Sequence, residues 1–225
     1  MNLYFLVEGR RTEKKVYRTW LGYVFPHLHE VEKIEDIHDN HFYMLAGNGY
    51  PSYKQRILES LENIQKLGNI DHFFICIDTE EERLESKKAE IEDILATGQP
   101  FQNSHLILQN CCIETWFLGH QKMLKRNPTH EALKRWKAFY DVSLDDPENM
   151  GCPPEYEFRA PFHEDYLKAM LHERGLSYSK PKPGCVLEKS YFLALLERYA
   201  KTSHIKTFGG LIELWKTLGG MIDIL

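Results

Sequence analysis

Four short apolar runs, separated by stretches with helical periodicity, constrain the fold of this chain more than any other feature of its sequence. The runs are LYFLV, HFYMLA, HFFICI and HLILQ, and each is followed by a segment whose apolar residues recur every three or four positions. Short unbroken apolar runs are typical of strands that are buried on both faces. Because parallel neighbours need a crossover helix, this alternation predicts an α/β fold, a mostly parallel sheet flanked by helices.

The pattern changes after about residue 124. Four prolines and a glycine lie between positions 145 and 161, and they interrupt any long regular element. Three further helical patterns follow, at His163 to Arg174, Glu188 to Ala200, and Gly210 to the C-terminus. We therefore predict an α/β domain over residues 1–124 and a helical C-terminal extension, packed on it, over residues 125–225.

Composition and charge exclude several functional classes. Lys plus Arg number 28 and Asp plus Glu number 33, so the net charge of −5 excludes a broadly basic nucleic-acid-coating protein but not a local basic patch. No apolar run reaches the roughly 18 residues of a membrane helix, and the N-terminal apolar stretch precedes its charges, the reverse of a signal peptide. Five scattered cysteines without a Cys-x-x-Cys pair favour reduced thiols over a disulfide framework or a zinc knuckle. We expect a cytoplasmic protein that does not bind a membrane.

Acidic residues follow three of the four predicted strands. Glu8 follows the first strand, Asp78 and Glu80 follow the third, and Glu114 comes shortly after the fourth. Ligands of parallel sheets bind beyond the carboxyl ends of the strands, so we expect these carboxylates at one edge. Like charges gathered there repel one another unless a cation neutralises them, and oxygen ligands suit Mg²⁺ or Mn²⁺. Metal-assisted phosphoryl chemistry is therefore the natural hypothesis.

Each of these acidic residues also has an ordinary interpretation. Carboxylates at helix starts complement the helix dipole, which explains Glu80 and Glu114 without any function. For Asp78 the functional and the ordinary interpretation are equally open. Glu8 is harder to explain in this way, because it directly follows an apolar strand and precedes Gly9, which permits close approach of a ligand to the backbone.

A nucleic-acid substrate would require positive charge near the carboxylates. Arg10 and Arg11 stand where a helix N-terminus can face a phosphate. Lys180 and Lys182 stand on a loop stiffened by prolines and can contact a nucleic-acid backbone. An ordinary surface loop with two solvated lysines is nearly as good an interpretation of the second pair.

The stretch after the fourth strand contains other polar groups, which we interpret as structural. Cys111 and Cys112 are adjacent and are predicted to have a structural role. Trp116 and His120 are one helical turn apart, and this spacing favours core packing over catalysis.

Several segments resemble motifs of a known family. LYFLVEGRRTEKKVY resembles the first motif of TOPRIM domains, the α/β catalytic module of topoisomerases, primases and OLD-type nucleases. FFICIDTEE looks like the second motif, usually an Asp-x-Asp pair, but Glu80 stands where the second Asp is expected. NCCIETWFLGH is similar to a stretch of the small RloB-like TOPRIM proteins, as are YSKPKPG and IKTFGGLIELW near the C-terminus.

The resemblance implies a divalent-metal-dependent nuclease that hydrolyses phosphodiester bonds of DNA or RNA with Mg²⁺ or Mn²⁺. It implies Glu8 as general acid/base or metal ligand, Asp78 as the principal ligand, and Glu80 and Glu114 as supporting ligands. Glu8, Asp78 and Glu80 would form the catalytic set. The resemblance further implies a role in prokaryotic phage defence, with a partner protein such as an ATPase or assembly into a homo-oligomer.

Two alternatives from other functional classes stay open. Receiver domains are phosphorylated on an Asp at the end of the third strand, so a phosphoacceptor signalling domain is the first alternative. The second is a non-catalytic binding or assembly subunit that has kept the fold. Glu80 in place of Asp is the best support for this second alternative.

Overall fold

The computed structural model describes residues 1–47, 49, 52–98 and 100–222, and it divides the chain into two compact units. The first unit comprises residues 1–77 and 82–108, and the second comprises residues 78–81 and those from 109 onward. Among the described residues, no helix is both long and apolar enough to cross a bilayer. The last predicted helix ends at Thr217 and not at the C-terminus, and residues 223–225 of that prediction lie outside the described residues. The predicted packing of a helical extension on the α/β domain stays a prediction.

The first unit contains the sheet, and its topology confirms the predicted α/β fold class. In the described chain the strands follow the order β2-β3-β1-β4-β5, and all of them are parallel. Their bounds are β1 Leu3–Val7, β2 His29–Val31, β3 His41–Ala46, β4 His72–Asp78 and β5 Ser104–Gln109. The helices of this unit are α1 Glu13–Val24, α2 Ser52–Leu67 and α3 Leu84–Thr97. The last residues of β4 and β5 belong to the second unit.

β1 is the central strand of the sheet. Phe5 lies opposite Met44 of β3 on one side and opposite Phe74 of β4 on the other. The Phe5 and Phe74 rings stack with 4.4 Å between their centroids. All of β1 is buried, as expected for a strand covered on both faces.

The other face of β1 packs against α2. Ile57, Leu61 and Ile64 belong to the same buried cluster as Leu6, so the apolar residues that recur every three or four positions in this segment form a buried face of a helix, as predicted. Tyr53 also belongs to this cluster, and its hydroxyl group lies 2.9 Å from the carbonyl oxygen of Leu6. A phenol buried in this way needs a hydrogen-bond partner, and a strand carbonyl supplies it.

The second unit is built from helices joined by irregular segments. Its helices are α4 Ile113–Phe117, α5 Glu131–Phe139, α6 Arg159–His172, α7 Lys189–Thr202 and α8 Lys206–Thr217. α6 begins before its predicted start because Pro161 lies in the first turn, where no backbone N–H is needed. α8 begins before Gly210, and the Tyr199 ring lies where a Cβ of Gly209 would be, so this glycine serves close packing. α4 ends at Phe117, so Trp116 and His120 do not share a helix, although both are buried as predicted.

Arg198 and Glu148 are two of the charged side chains that the second unit buries. Arg198 donates hydrogen bonds to the carbonyl oxygens of Ser143 at 3.1 Å and Asp145 at 2.9 Å. Glu148 Oε1 accepts hydrogen bonds from the backbone N–H of Thr207 at 3.0 Å and from its hydroxyl group. Burial raises the pKa of Glu148, and the hydrogen bonds from Thr207 oppose that effect. Polar partners therefore satisfy the charged groups that this unit buries.

Candidate functional site

The turn that follows β4 is attached to the end of β5 by backbone hydrogen bonds. Asp78 is half-buried, Thr79 is fully buried, and Glu80 is exposed in the left-handed conformation with φ of 49°. The N–H of Thr79 donates to the carbonyl oxygen of Gln109 at 3.0 Å, and the N–H of Glu80 donates to that of Cys111 at 2.8 Å. In return, the N–H of Cys111 donates to Thr79 Oγ1 at 2.8 Å. These bonds fix the backbone that carries Asp78 and Glu80.

Glu114 is buried in the first turn of α4, with 2% of its surface exposed. The hydroxyl group of Tyr178 donates to Glu114 Oε1 at 2.7 Å. One carboxylate oxygen is therefore held in place by a neutral donor. A carboxylate buried to this extent also needs a nearby positive charge, because desolvation disfavours its ionised form.

Lys180 is a positive charge near two of the predicted acidic ligands of this unit, Glu114 and Asp78. Burial is the largest influence on its pKa and lowers it, but the attraction of Glu114, then of Glu164, and more weakly of Asp78, raises the pKa overall. Its ammonium nitrogen lies 3.6 Å from Glu164 Oε2. Two carboxylates from the ends of different strands thus act on one ammonium group. The ammonium group of Lys180 therefore interacts electrostatically with both Asp78 and Glu114.

The predicted residues Glu80 and Lys182 are exposed, as is Lys180, whose side chain is 52% exposed. The carbonyl oxygen of Glu80 accepts a hydrogen bond from the Arg159 guanidinium, and Arg159 Nε lies 3.1 Å from Glu81 Oε2. This ion pair holds the side chain of the neighbouring Glu81 at the start of α6. Lys182 is exposed and its N–H donates to the carbonyl oxygen of Ser179 at 2.9 Å, which closes the turn that carries Lys180.

Glu8, Arg10 and Arg11 belong to the first unit. Glu8 is half-buried and directly follows β1, while Arg10 and Arg11 are exposed on the turn that precedes α1. β1 and β4 are parallel neighbours, with Val7 in register with Cys76. The residue after β1 therefore stands at the carboxyl edge of the sheet, where ligands of parallel sheets bind. The roles of these three residues stay predictions.

Three metal-ligating side chains that the sequence does not connect lie together in the second unit. Cys111, Cys112 and His163 are all buried, and one ligand atom of each lies within 4.8 Å of the others. Our sequence interpretation gave the two cysteines a structural role and gave His163 none. His163 comes from α6, so no local spacing links it to the cysteines. The adjacent cysteines were the only signal of this cluster in the sequence.

The two adjacent thiols have opposite pKa shifts. A hydrogen bond from Cys112 holds the pKa of Cys111 well below its usual value, against the effect of burial, and His163 and Arg159 lower it further. Burial raises the pKa of Cys112, and its hydrogen bond with Cys111 raises it more. The pair therefore ionises at Cys111 first.

The donor groups near Asp78 determine which chemistry is available there. Asp78, Glu80 and Glu114 offer only oxygen atoms, the ligands that Mg²⁺ and Mn²⁺ prefer. No family model, curated protein or solved structure matches this chain. The geometry of its own residues and the motif resemblance are therefore the basis for a functional proposal.

Proposed function

We propose that this protein is a divalent-metal-dependent nuclease that hydrolyses phosphodiester bonds of DNA or RNA. The observation that carries the proposal is that Asp78 is half-buried at the end of β4 and Glu114 is buried shortly after β5, and that both, together with Glu164, attract the ammonium group of Lys180. Carboxylates that share a site repel one another unless positive charge lies nearby. The resemblance to TOPRIM domains and to the RloB-like group supports the same reaction class.

The carboxylates of this site fit Mg²⁺ or Mn²⁺. Asp78 and Glu114 would hold the ion, with Glu80 and Glu8 as further oxygen ligands. When bound, the ion polarises the phosphodiester and lowers the pKa of an attacking water. Tyr178 orients Glu114 by its hydrogen bond to Oε1, which leaves Oε2 as the second donor atom. The four predicted ligands Asp78, Glu114, Glu80 and Glu8 would all bind the ion through carboxylate oxygen atoms, which are hard donors.

The charged residues around the carboxylates have separate roles in the proposal. Glu8 moves the proton of the attacking water as general acid/base. Lys180 stabilises negative charge on the phosphate, and the exposed Lys182, Arg10 and Arg11 contact the nucleic-acid backbone.

The cellular setting of the proposal follows from the resemblance. We propose a cytoplasmic effector of prokaryotic phage defence that acts with a partner protein such as an ATPase or as a homo-oligomer. The five cysteines, all within the described residues, are free, which fits a reducing compartment.

Cleavage of mixed DNA and RNA substrates with Mg²⁺ and then with Mn²⁺ tests the nuclease proposal. We expect Glu8→Gln, Asp78→Asn and Glu114→Gln each to lower the rate at least about a hundredfold, the scale of one catalytic proton-transfer or ligand group. Glu164→Gln is the matched control, because Glu164 also lies beside Lys180 but is not a predicted ligand. This control should keep its activity, and the melting temperature without metal should stay nearly unchanged in all four variants.

Two results of this experiment would reject the proposal. Equal cleavage by wild type and Asp78→Asn would assign the activity to a contaminant or another site. Loss of activity in Glu164→Gln to the same extent would show that charge balance around Lys180, and not metal ligation, explains the effect. In the same assay, Lys180→Ala and Lys182→Ala should weaken substrate binding and lower its salt slope by about 1 each.

A phosphoacceptor domain is the second candidate, because Asp78 is half-buried at the end of its strand and lies in the field of Lys180. Incubation with a small phosphodonor and Mg²⁺ separates the candidates. A stable acyl phosphate on Asp78, without cleavage of nucleic acid, would favour the second. If the protein binds no divalent cation at all, the non-catalytic binding or assembly subunit replaces both.

A further inference from the structure

Cys111, Cys112 and His163 form a compact set of soft donor atoms inside the second unit. Their exposed fractions are 1%, 3% and 1%, and their ligand atoms lie within 4.8 Å of one another. With Zn–S bonds of about 2.3 Å and Zn–N bonds of about 2.0 Å, the donors of a tetrahedral zinc site are roughly 3.5 to 3.8 Å apart. The donors therefore need to move only slightly to share one ion. We infer that these three residues bind Zn²⁺, at a site distinct from the oxygen ligands Asp78, Glu80 and Glu114.

The backbone conformation explains how two adjacent cysteines can share an ion. In an extended chain, successive side chains point to opposite faces and could not bind the same ion. Cys111 has a φ of 66°, a left-handed conformation that is uncommon for a residue other than glycine, whereas Cys112 is extended with φ of −154°. The left-handed residue breaks the alternation and directs both sulfur atoms to one point.

The turn after β4 stabilises this unusual conformation. The N–H of Cys111 donates to Thr79 Oγ1 at 2.8 Å, and its carbonyl oxygen accepts from the N–H of Glu80 at 2.8 Å. A left-handed non-glycine residue costs on the order of 1–3 kcal/mol and persists only where its surroundings hold it in place. Hydrogen bonds to both backbone polar groups of Cys111 therefore fix the backbone that positions its thiol.

The hydrogen bonds of His163 leave one ring nitrogen available as a ligand. Its Nε2 lies 3.1 Å from the carbonyl oxygen of Met150, which can only accept, so the proton is on Nε2 and Nδ1 keeps its lone pair. Metal-binding histidines commonly donate their second nitrogen to such a carbonyl. Nδ1 lies 2.8 Å from Thr115 Oγ1, which is also 3.7 Å from Cys112 Sγ. The Thr115 hydroxyl can therefore turn to the sulfur atom when an ion takes Nδ1.

The charges favour a thiophilic dication over Mg²⁺. Two thiolates and a neutral imidazole neutralise Zn²⁺, so the loaded site is uncharged and its burial costs little. Sulfur and imidazole ligands select zinc, whereas Mg²⁺ and Mn²⁺ prefer carboxylate oxygens. The nearby Arg159 is already paired with Glu81 at 3.1 Å. Three protein ligands leave the fourth position of zinc for a water molecule.

Titration with Co²⁺, a coloured substitute for Zn²⁺, tests the site. The full chain, reduced and freed of metal with a chelator, should bind one Co²⁺ with an intense sulfur-to-cobalt charge-transfer band, and Zn²⁺ should displace it. Cys111→Ser, Cys112→Ser and His163→Gln should each weaken binding at least about a hundredfold, since even indirect partners of a metal contribute 10- to 100-fold. Cys185→Ser, at a buried thiol of the same unit outside the cluster, is the matched control and should bind Co²⁺ like wild type.

Further variants and measurements separate this site from the carboxylates and from simple misfolding. Asp78→Asn should leave the charge-transfer band unchanged, so failure of the nuclease proposal would not affect this one. X-ray absorption of the zinc-loaded wild type should show two sulfur neighbours and at least one nitrogen neighbour, which does not depend on any variant folding. Absence of the band in the reduced wild type, or a zinc ion with only oxygen neighbours, would overturn the inference. Equal loss of binding in Cys185→Ser would overturn it as well.

Discussion

The first unit buries mostly apolar side chains around a parallel sheet, and Lys87 is the charged side chain that it buries among the described residues. The described part of the second unit buries three charged side chains, those of Glu114, Glu148 and Arg198. In the first, Phe5 and Phe74 stack within the sheet. In the second, Arg198 is 1% exposed and Glu148 is 8% exposed, and backbone or hydroxyl groups satisfy both. Apolar packing is non-directional, while buried polar groups require partners in specific positions. The second unit therefore buries more side chains whose orientation is fixed by specific polar partners.

The two units also differ in how many of their described non-glycine residues have a positive φ, and the second unit has more of them. Among the described residues other than glycine, only Asn40 has a positive φ in the first unit, whereas Glu80, Cys111, Ser203 and Ile205 have one in the second. Unfavourable backbone conformations cluster where surrounding contacts hold a functional arrangement. The first two of these four belong to the turn and to the cysteine pair on which our proposals rest.

The largest stability effect is expected in the apolar core of the first unit. Phe74 is fully buried against Phe5, so Phe74→Ala removes a ring from a close-packed site and should lower the free energy of unfolding by about 3–5 kcal/mol. Urea unfolding measures this loss. Leu144→Ala, at a side chain that is 71% exposed, is the control and should change little. A loss below about 1 kcal/mol for Phe74→Ala would contradict the view that packing dominates this unit.

A smaller effect is expected from a buried charge in the second unit. Arg198→Met removes the hydrogen bonds to the carbonyl oxygens of Ser143 and Asp145, and we expect a loss of about 2–3 kcal/mol in the same unfolding experiment. Arg135→Met, at an exposed arginine of α5, is the matched control. Increased stability of Arg198→Met would show that the desolvation cost of the guanidinium exceeds its hydrogen bonding, and would remove the contrast between the units.

The smallest effect is expected from an acid-sensitive contact of the second unit. Glu173 accepts a hydrogen bond from the N–H of His130, which is the main reason why its pKa is lowered from 4.5 to about 2, and further hydrogen bonds from Thr129 contribute. Because the folded pKa is depressed, this carboxylate stabilises the fold above about pH 4.5, and the stabilisation disappears as the pH falls toward 2.

Unfolding measured between pH 2 and pH 7 tests this contact. Glu173→Gln should be less stable than wild type at pH 7, and the difference should shrink as the pH falls through that window. Glu157→Gln, at an exposed carboxylate, should follow the wild-type curve. A constant difference between Glu173→Gln and wild type would show that the contact does not depend on the charge.

Local patterns predicted most of the sheet. β1 and β3 have the predicted bounds, and β4 and β5 are each one residue longer than predicted. β2, His29–Val31, was missed because it is three residues long and two of them are exposed, so it has no apolar pattern. The starts of α6 and α8 were predicted too late along the chain. Pro161 is acceptable in the first turn of α6, and Gly209 lies within α8, where the Tyr199 ring packs against it.

The sequence by itself determined the parallel α/β class and the strand ends that Glu8, Asp78 and Glu114 follow, because burial on both faces of a strand leaves a local apolar signature. Only the tertiary structure decided that Lys180 lies in the field of two carboxylates and that His163 joins the adjacent cysteines. Such contacts join residues far apart along the chain. The cysteine–histidine cluster also depends on a left-handed Cys111 that long-range hydrogen bonds hold in place, and no local periodicity encodes these bonds.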